Sequence, residues 1–376
     1  MHMISSLNSS QISAFRLRRH HFSDRKKPVV AEVCRDVCGI QAQVMSAAQM
    51  SLWARMHHLK RADIDAALYR DRTLVKTNCM RATLHFLEAA DYPFYIAALQ
   101  KSRLRQAASV MARYGISQKE AAAGSLVALE ALAAGPMTRR DIKAQVLRRI
   151  KVSRKGRFWF LNSWWGAIHQ SIVEGLVCYG HERGREIALV RVDQWLPKFD
   201  RVPEAEAQGF ILRRYLGAYG PATLRDFAKW AGISAAEAKE AGERLKDEMM
   251  EVNAEGKTAL ILECDYDQLR KSKMEGHHVR LLPNFDVFLL AHSEKDHLVS
   301  SQFYKRVYRN QGWISAVVLH NGRVIGFWSI ERKGKRSTLQ IEPFENFART
   351  IRAEIEEEAA SLELFLDTSL ELQYKS

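Results

Sequence analysis

A chain of 376 residues and 43.0 kDa, 47% hydrophobic and 27% charged, has the composition of an ordinary globular protein long enough for two or three domains. No apolar run approaches the ~18 residues of a membrane span, and the polar stretch from Met1 to Gln11 lacks a signal-peptide core, so a cytoplasmic protein is expected. The formal charge of +14 is uneven: the tail from Phe344 holds eight acidic residues against three basic, a net −5 that leaves +19 to residues 1–343, and a body this basic attracts a polyanion, most often nucleic acid.

The opening helix is expected over Ser9–Phe22, with Ile12, Phe15 and Leu17 apolar and Arg16, Arg18 and Arg19 basic. After a turn at Asp24–Pro28 comes a helix over Val29–Cys38, then the stretch Gly39-Ile40-Gln41-Ala42-Gln43, a third helix over Met45–Met56 and a fourth over Ala62–Tyr69. Leu74 to Leu87 reads as strand, tight turn and strand. Helices followed by a two-stranded hairpin describe a winged helix-turn-helix.

That pattern returns twice. Gly135-Pro136-Met137-Thr138-Arg139-Arg140-Asp141 recurs 85 residues later as Gly220-Pro221-Ala222-Thr223-Leu224-Arg225-Asp226. In each copy the Thr is placed to cap the next helix. Each follows a helix (Ala121–Ala134; Ala205–Ala218) and precedes a second helix (Ser163–Glu174; Ala235–Lys246). A hairpin closes each copy: Leu176–Val192 turning at Glu182-Arg183-Gly184, and Met249–Cys264 turning at Ala254-Glu255-Gly256. An internal repeat of cap, turn and hairpin is a strong signal. The last segment alternates like strands over Val279–Ala291, His297–Ser301, Trp313–His320, Arg323–Ile330 and Arg336–Ile341, with an acidic amphipathic helix over Phe344–Leu366. The expected fold is α+β: three tandem winged helix-turn-helix units (1–100, 101–200, 201–275) followed by a C-terminal β-barrel or sheet with a terminal helix (276–376).

Two glutamines one residue apart in an apolar run need explaining, since a buried amide without partners costs roughly 1–3 kcal/mol. In extended backbone residues i and i+2 project to one side, while on a helix they diverge by about 200°. Gly39 is a natural helix stop, so Gly39–Gln43 reads as extended or turn backbone that offers the amides of Gln41 and Gln43 to one point. Spacing alone favours the plainer reading, in which both satisfy neighbouring backbone groups.

The densest basic run is Arg139, Arg140, Lys143, Arg148, Arg149, Lys151, Arg154, Lys155 and Arg157, opposed within it only by Asp141 and followed by Phe158-Trp159-Phe160 and Trp164-Trp165. Cations neutralise phosphates and aromatics wedge or stack; core packing is the plainer role for Trp159 and Trp164. Arg81 and His85 are placed on one strand face with Cys79 and Thr83, contacting phosphate or, equally, carrying a histidine bonded in the core. Arg16, Arg19 and His20 read as backbone contacts from the first helix or as its solvated face. Asp286 reads as a structural turn cap. The five cysteines (34, 38, 79, 178 and 264) form neither a disulfide framework nor zinc-ligand spacing. The adjacent histidine pairs are poorly placed to share one ion, and phosphate-binding glycine loop, GxSxG and HExxH are all absent. Neither metal nor cofactor is expected.

Gly39-Ile40-Gln41-Ala42-Gln43, Met80-Arg81-Ala82-Thr83-Leu84-His85, the repeated Gly-Pro-x-Thr turns and Leu281-Leu282-Pro283-Asn284-Phe285-Asp286 together resemble the winged-helix DNA glycosylase superfamily of AlkZ/YcaQ type, in the same order over nearly the whole chain. The resemblance implies three winged helices and a C-terminal β-barrel forming a basic channel for duplex DNA. It also implies excision of N7-alkylguanines and unhooking of interstrand crosslinks. No lysine is clearly poised for Schiff-base lyase chemistry, so a monofunctional enzyme is expected. The Gln-apolar-Gln motif of the AlkZ-like branch maps onto Gln41 and Gln43 as catalytic residues; the YcaQ-like branch has Asp at the second position, and this chain does not. DNA contacts are expected from Arg16, Arg19, His20, Arg81, His85, Arg139, Arg140, Lys143, Arg154, Lys155, Arg157 and Trp165. The partner is expected to be double-stranded DNA carrying alkylated or crosslinked guanine, and the protein a bacterial, nucleoid-associated monomer without a dimerising heptad seam. The alternative is a non-enzymatic winged-helix DNA-binding protein or transcription regulator.

Overall fold

In the computed structural model, which describes every residue except 1–5, 27–28, 163–165, 167, 184–185, 335 and 376, Asn8 and Gln11 exchange a capping box that starts the first helix, Ser9–Arg19. Contacts divide the chain into two units: Met1–Ile64 with Leu212–Trp230 and Ala235–Ser376, and Asp65–Ile211 with Ala231–Ser234.

In the first of these, the amphipathic helix Ser9–Arg19 buries Phe15 and Leu17. Phe15 joins Leu7, Ile12, Val252, Ile261 and Leu269 in a core beneath the hairpin Met249–Ala254 and Lys257–Leu262. That hairpin turns at Glu255-Gly256, both with positive φ (53° and 81°), the geometry a two-residue hairpin loop demands. Ser6–Leu7 extends it by pairing parallel with Asn253 and Ala254. Thr223 is the predicted cap: its backbone N and hydroxyl donate to Asp226 at 3.0 and 2.7 Å, and its oxygen accepts from Asp226 N at 3.1 Å. Helices Leu224–Ala231 and Ala235–Leu245 follow.

The C-terminal segment corrects the barrel expectation. Its five strands run in the order Val279–Leu282, Val317–His320, Arg323–Lys333, Arg336–Pro343, Leu370–Tyr374. The two outer strands are edges that do not pair, so the sheet is open. The final strand explains why: after helix Arg349–Leu366 the chain returns to lie parallel beside Ser337–Ile341. The terminal helix therefore bridges two neighbouring strands rather than closing a barrel. His297–Ser301, expected as a strand, is turn and bend.

The other unit holds the hairpin Leu74–Asn78 and Leu84–Glu88, helices Tyr92–Arg113, Gln118–Leu132, Arg139–Arg149, Arg154–Asn162 and His169–Val173, and the hairpin Val177–Arg183 and Glu186–Arg191. Five strands of this unit order as Leu84–Glu88, Leu74–Asn78, Val177–Arg183, Glu186–Arg191, Met137–Thr138. Thr138 caps Arg139–Arg149 through Asp141 as Thr223 caps its own helix. The repeat extends to pairing: Met137 faces Leu189 on the second hairpin strand, and its counterpart Ala222 bridges Leu260 on the second strand of the later hairpin. The core gathers Ala128, Leu132, Ile142, Val146, Trp159 and Phe160.

Candidate active site

Helix Val30–Asp36 ends two residues short of the expected Cys38, just ahead of Gly39. Cys38 and Gly39 take φ of 59° and 89°, and Gly39 N donates to Cys34 O at 2.6 Å, closing the last turn. The chain then extends through the short strand Ile40–Gln41, bends at 43–44 and enters helix Met45–Trp53. The bend changes the expected geometry. Gln41 is 7% exposed between buried Ile40 and Ala42, whereas Gln43 lies past the strand and is open to solvent. Gln43 stands just before the helix N-terminus, where Val44 offers no side-chain cap to the first N–H groups.

The far end of that helix is locked. Asp286 accepts from both terminal nitrogens of Arg55 at 2.7 and 2.8 Å and from Ser51 Oγ at 2.6 Å. It also accepts from Phe288 N at 3.0 Å, the predicted turn cap. Neither Arg55 nor Asp286 has exposed side chain. Trp53 Nε1 donates to Ser361 Oγ at 3.1 Å on the terminal helix. There Glu358 takes two bonds from Arg25 Nη2, 2.6 and 2.8 Å, and a third contact from Arg280 at 3.5 Å. Arg55 and Glu358 were not singled out in the sequence: a charge inside an apolar run, as at Arg55, is itself a sign of a buried partner, but Glu358 follows Glu356 and Glu357 and looks like a solvated face.

His20 is corrected by this network. It has no exposed surface, its ring lies 4.9 Å from Tyr219 and 5.0 Å from Phe288, and Arg55 Nη2 reaches its Nδ1 at 3.4 Å. Burial, then Arg55, pushes its pKa well below the usual imidazole value, so it is a neutral packing residue and reaches no phosphate. Arg16 is likewise buried, donating to Pro221 O at 2.7 Å, and burial pulls its guanidinium down to about 10. Arg19 is partly exposed and paired with Asp265.

In the other unit, Arg81 is not on a strand. It sits with φ 53° in the turn between Leu74–Asn78 and Leu84–Glu88, packed against Gly232, whose φ of 77° suits glycine and where an added Cβ would lie 3.0 Å from the Arg81 backbone. Buried Arg103 grips the same turn through Cys79 O and Asn78 Oδ1. His85 is on the strand but fully buried; its Nδ1 bonds Thr83 O at 3.0 Å. Burial, then Arg81, keeps it neutral, so its phosphate role gives way to the core role.

The basic run is not opposed by Asp141 alone: Arg149 pairs with Glu130, and Arg140 meets Glu186 at 3.8 Å. Arg139 lies over Tyr179, 5.6 Å from the ring centre, and bonds its hydroxyl. Lys143 is half-buried, and burial lowers its pKa. Arg154, Lys155, Arg157 and Phe158 are exposed on helix Arg154–Asn162, and the three cations have no ion pair among the described residues. Trp159 and Phe160 point into the core, the packing role. Trp164 and Trp165 lie outside the described residues. Among the described residues no cluster of metal-ligating groups is present, and no helix is long and apolar enough to cross a membrane.

A family model described as DNA glycosylase AlkZ-like matches residues 34–365. The chain is 30% identical over 364 residues to the interstrand DNA cross-link repair glycosylase of Streptomyces sahachiroi, covering 93% of this chain and 94% of that protein. The solved structure of Streptomyces sahachiroi DNA glycosylase AlkZ superposes with a TM-score of 0.86 at 27% identity, covering 99% of this chain and 100% of that one.

Proposed function

This chain belongs to the AlkZ-like DNA glycosylase family, and on that premise we propose that it excises cationic N7-alkylguanines from duplex DNA and unhooks interstrand crosslinks, with Gln43 holding the attacking water and Gln41 steadying the lesion or sugar. It is a DNA glycosylase, which sets aside the regulator alternative. The observation that carries the finer reading is that Gln43 is exposed just before the start of a helix whose other end is pinned by Arg55–Asp286. The name of the Streptomyces relative, interstrand DNA cross-link repair glycosylase, supports the crosslink substrate.

The chemistry asks little of the protein. Alkylation at N7 makes guanine cationic, so the C1′–N9 electron pair leaves with the base without a general acid. Water then adds at C1′ of an oxocarbenium-like sugar and loses a proton, leaving an abasic site and the free alkylated base. A glutamine carbonyl orients that water and offers partial negative charge but does not act as a carboxylate base. Neutral bases such as uracil are therefore not excised, and the enzyme is monofunctional.

Three winged-helix units over 1–100, 101–200 and 201–275 present the DNA-binding surface. Phosphate contacts come from Arg140, Arg154, Lys155 and Arg157, with Arg139, Lys143, Arg81 and Arg19 as less exposed contributors. The protein acts as a monomer on the bacterial nucleoid. The test is an end-labelled duplex with one N7-methylguanine, incubated with the protein and then with alkali. Scission at the lesion is expected, together with strand separation of an N7–N7 mustard-crosslinked duplex. A footprint on undamaged DNA without scission at the lesion contradicts the proposal.

A further inference from the structure

The motif Leu281-Leu282-Pro283-Asn284-Phe285-Asp286 does more than hold Arg55. Asn284 Nδ2 donates to Ile314 O at 2.9 Å, and Phe285 meets Trp313 edge to face, 4.8 Å between ring centres at 73°. The loop that carries Trp313 is pinned at its base, where Arg309 N donates to Trp313 O at 2.8 Å and Tyr308 bridges Ile314. Its tip turns through Gln311 and Gly312 at φ 59° and 76°. Trp313 is thus a braced indole that still leaves 43% of its surface in water. A large aromatic ring held rigid and exposed is a platform for another flat ring, bound at little entropic cost.

Trp313 lines a cleft of about 740 Å³ on the open C-terminal sheet, a volume ample for one nucleotide. Four cations line it, Lys305, Arg306, Arg309 and Lys375, against one carboxylate, Glu342. Arg306 is committed to Glu342 and Lys375 approaches Glu331 at 3.9 Å. Lys305 and Arg309 are exposed and have no ion pair among the described residues.

We infer that this cleft is a subsite for one unpaired DNA nucleotide, whose base stacks on Trp313 and whose phosphate meets Lys305 and Arg309. The inference rests on the DNA glycosylase reading for its ligand and adds a site to it. Met50 also lines the cleft, five residues into the helix that begins at Met45. That places the cleft roughly 8 Å along the axis from the end where Gln43 stands, a few nucleotides of one strand at ~3.4 Å each. The subsite would therefore take a nucleotide displaced close to the lesion.

The test compares binding of the full chain to an undamaged duplex with one unpaired adenine and to the same duplex fully paired, by fluorescence anisotropy. The expected result is about tenfold tighter binding of the bulged duplex, a typical stacking contribution. Trp313→Ala should abolish that preference, Trp313→Phe should keep most of it, and Lys305→Ala with Arg309→Ala should reduce it about threefold, all with unchanged melting temperatures. Equal binding of both duplexes by the wild type, or a full preference in Trp313→Ala, overturns the subsite. Excision of N7-methylguanine is measured on the same preparations. Excision without bulge preference removes the subsite alone, whereas loss of excision in the wild type removes the glycosylase reading whatever the binding shows.

Discussion

Around the helix that follows Gln43, guanidinium groups are turned inward: Arg55 is fully buried against Asp286, and Arg25 closes on Glu358 with 8% and 5% of the two side chains exposed. On helix Arg154–Asn162 of the other unit, Arg154, Lys155 and Arg157 stand in solvent with no ion pair among the described residues. The same residue type serves two ends. A buried, doubly bonded pair fixes geometry, because losing either partner strands a charge away from water. A solvated cation contributes almost nothing to folding but remains available to displace counterions from a polyanion. The first arrangement suits a site where one amide must hold a water in place; the second suits grip on a backbone of any sequence.

Breaking the first arrangement should have the largest effect. Asp286→Ala leaves Arg55 buried and unpaired, and a loss of about 3–5 kcal/mol in urea unfolding is expected; a loss below 1 kcal/mol would mean that the pair is not what anchors the helix. Disturbing the second should leave folding alone. Arg154→Ala, Lys155→Ala and Arg157→Ala combined should reduce the slope of log affinity against log salt by about 3, with the melting temperature unchanged. An unaltered slope would assign DNA binding elsewhere.

Acid should act on both units alike, which makes it a control for the comparison. Burial, then Arg16 and Lys295, drives His297 down to about 2; burial, then Arg103 and Arg139, drives His169 down to about 3. Their folded pKa values lie below the unfolded value near 6.5, so below pH 6.5 the unfolded chain takes up protons that the folded chain refuses. Stability should be full above pH 6.5 and fall on acidification through the window from 6.5 towards 3, at about 1.4 kcal/mol per pH unit for each histidine. Urea midpoints measured at pH 7.5 and 5.5 check it; a midpoint that holds or rises at pH 5.5 counts against neutral buried histidines.

What was legible in the sequence was local. Gly39 stops a helix by its own conformation, Thr138 and Thr223 reach acids three residues on, and Glu255-Gly256 makes a turn from two φ angles, so each could be read without the rest of the chain. Gln41 and Gln43 stood out by their spacing, but the bend at 43–44 that buries one and exposes the other depends on tertiary packing. The 22-residue helix Tyr92–Arg113 went unread because its covered stripe mixes Tyr92, Tyr95 and Leu99 with Ala98, Ser102 and Arg103, which blurs the helical period. His20 was misjudged because Arg16, Arg18 and Arg19 make its helix look solvated, while Arg55, 35 positions away, Tyr219 and Phe288 enclose it. The strand Leu370–Tyr374 did alternate, with Leu370, Leu372 and Tyr374 against Glu371 and Gln373; reading it would have reopened the question of the barrel.

The central claim, that an uncharged amide at Gln43 positions the water, is tested most directly by single-turnover excision of N7-methylguanine at saturating enzyme, comparing wild type with Gln43→Ala. A rate about 100-fold lower in the variant, with duplex affinity within twofold of wild type, is predicted from the usual loss when one positioned hydrogen-bonding group is removed. A variant that cleaves as fast as the wild type, particularly if Gln43→Glu is inactive, would contradict it.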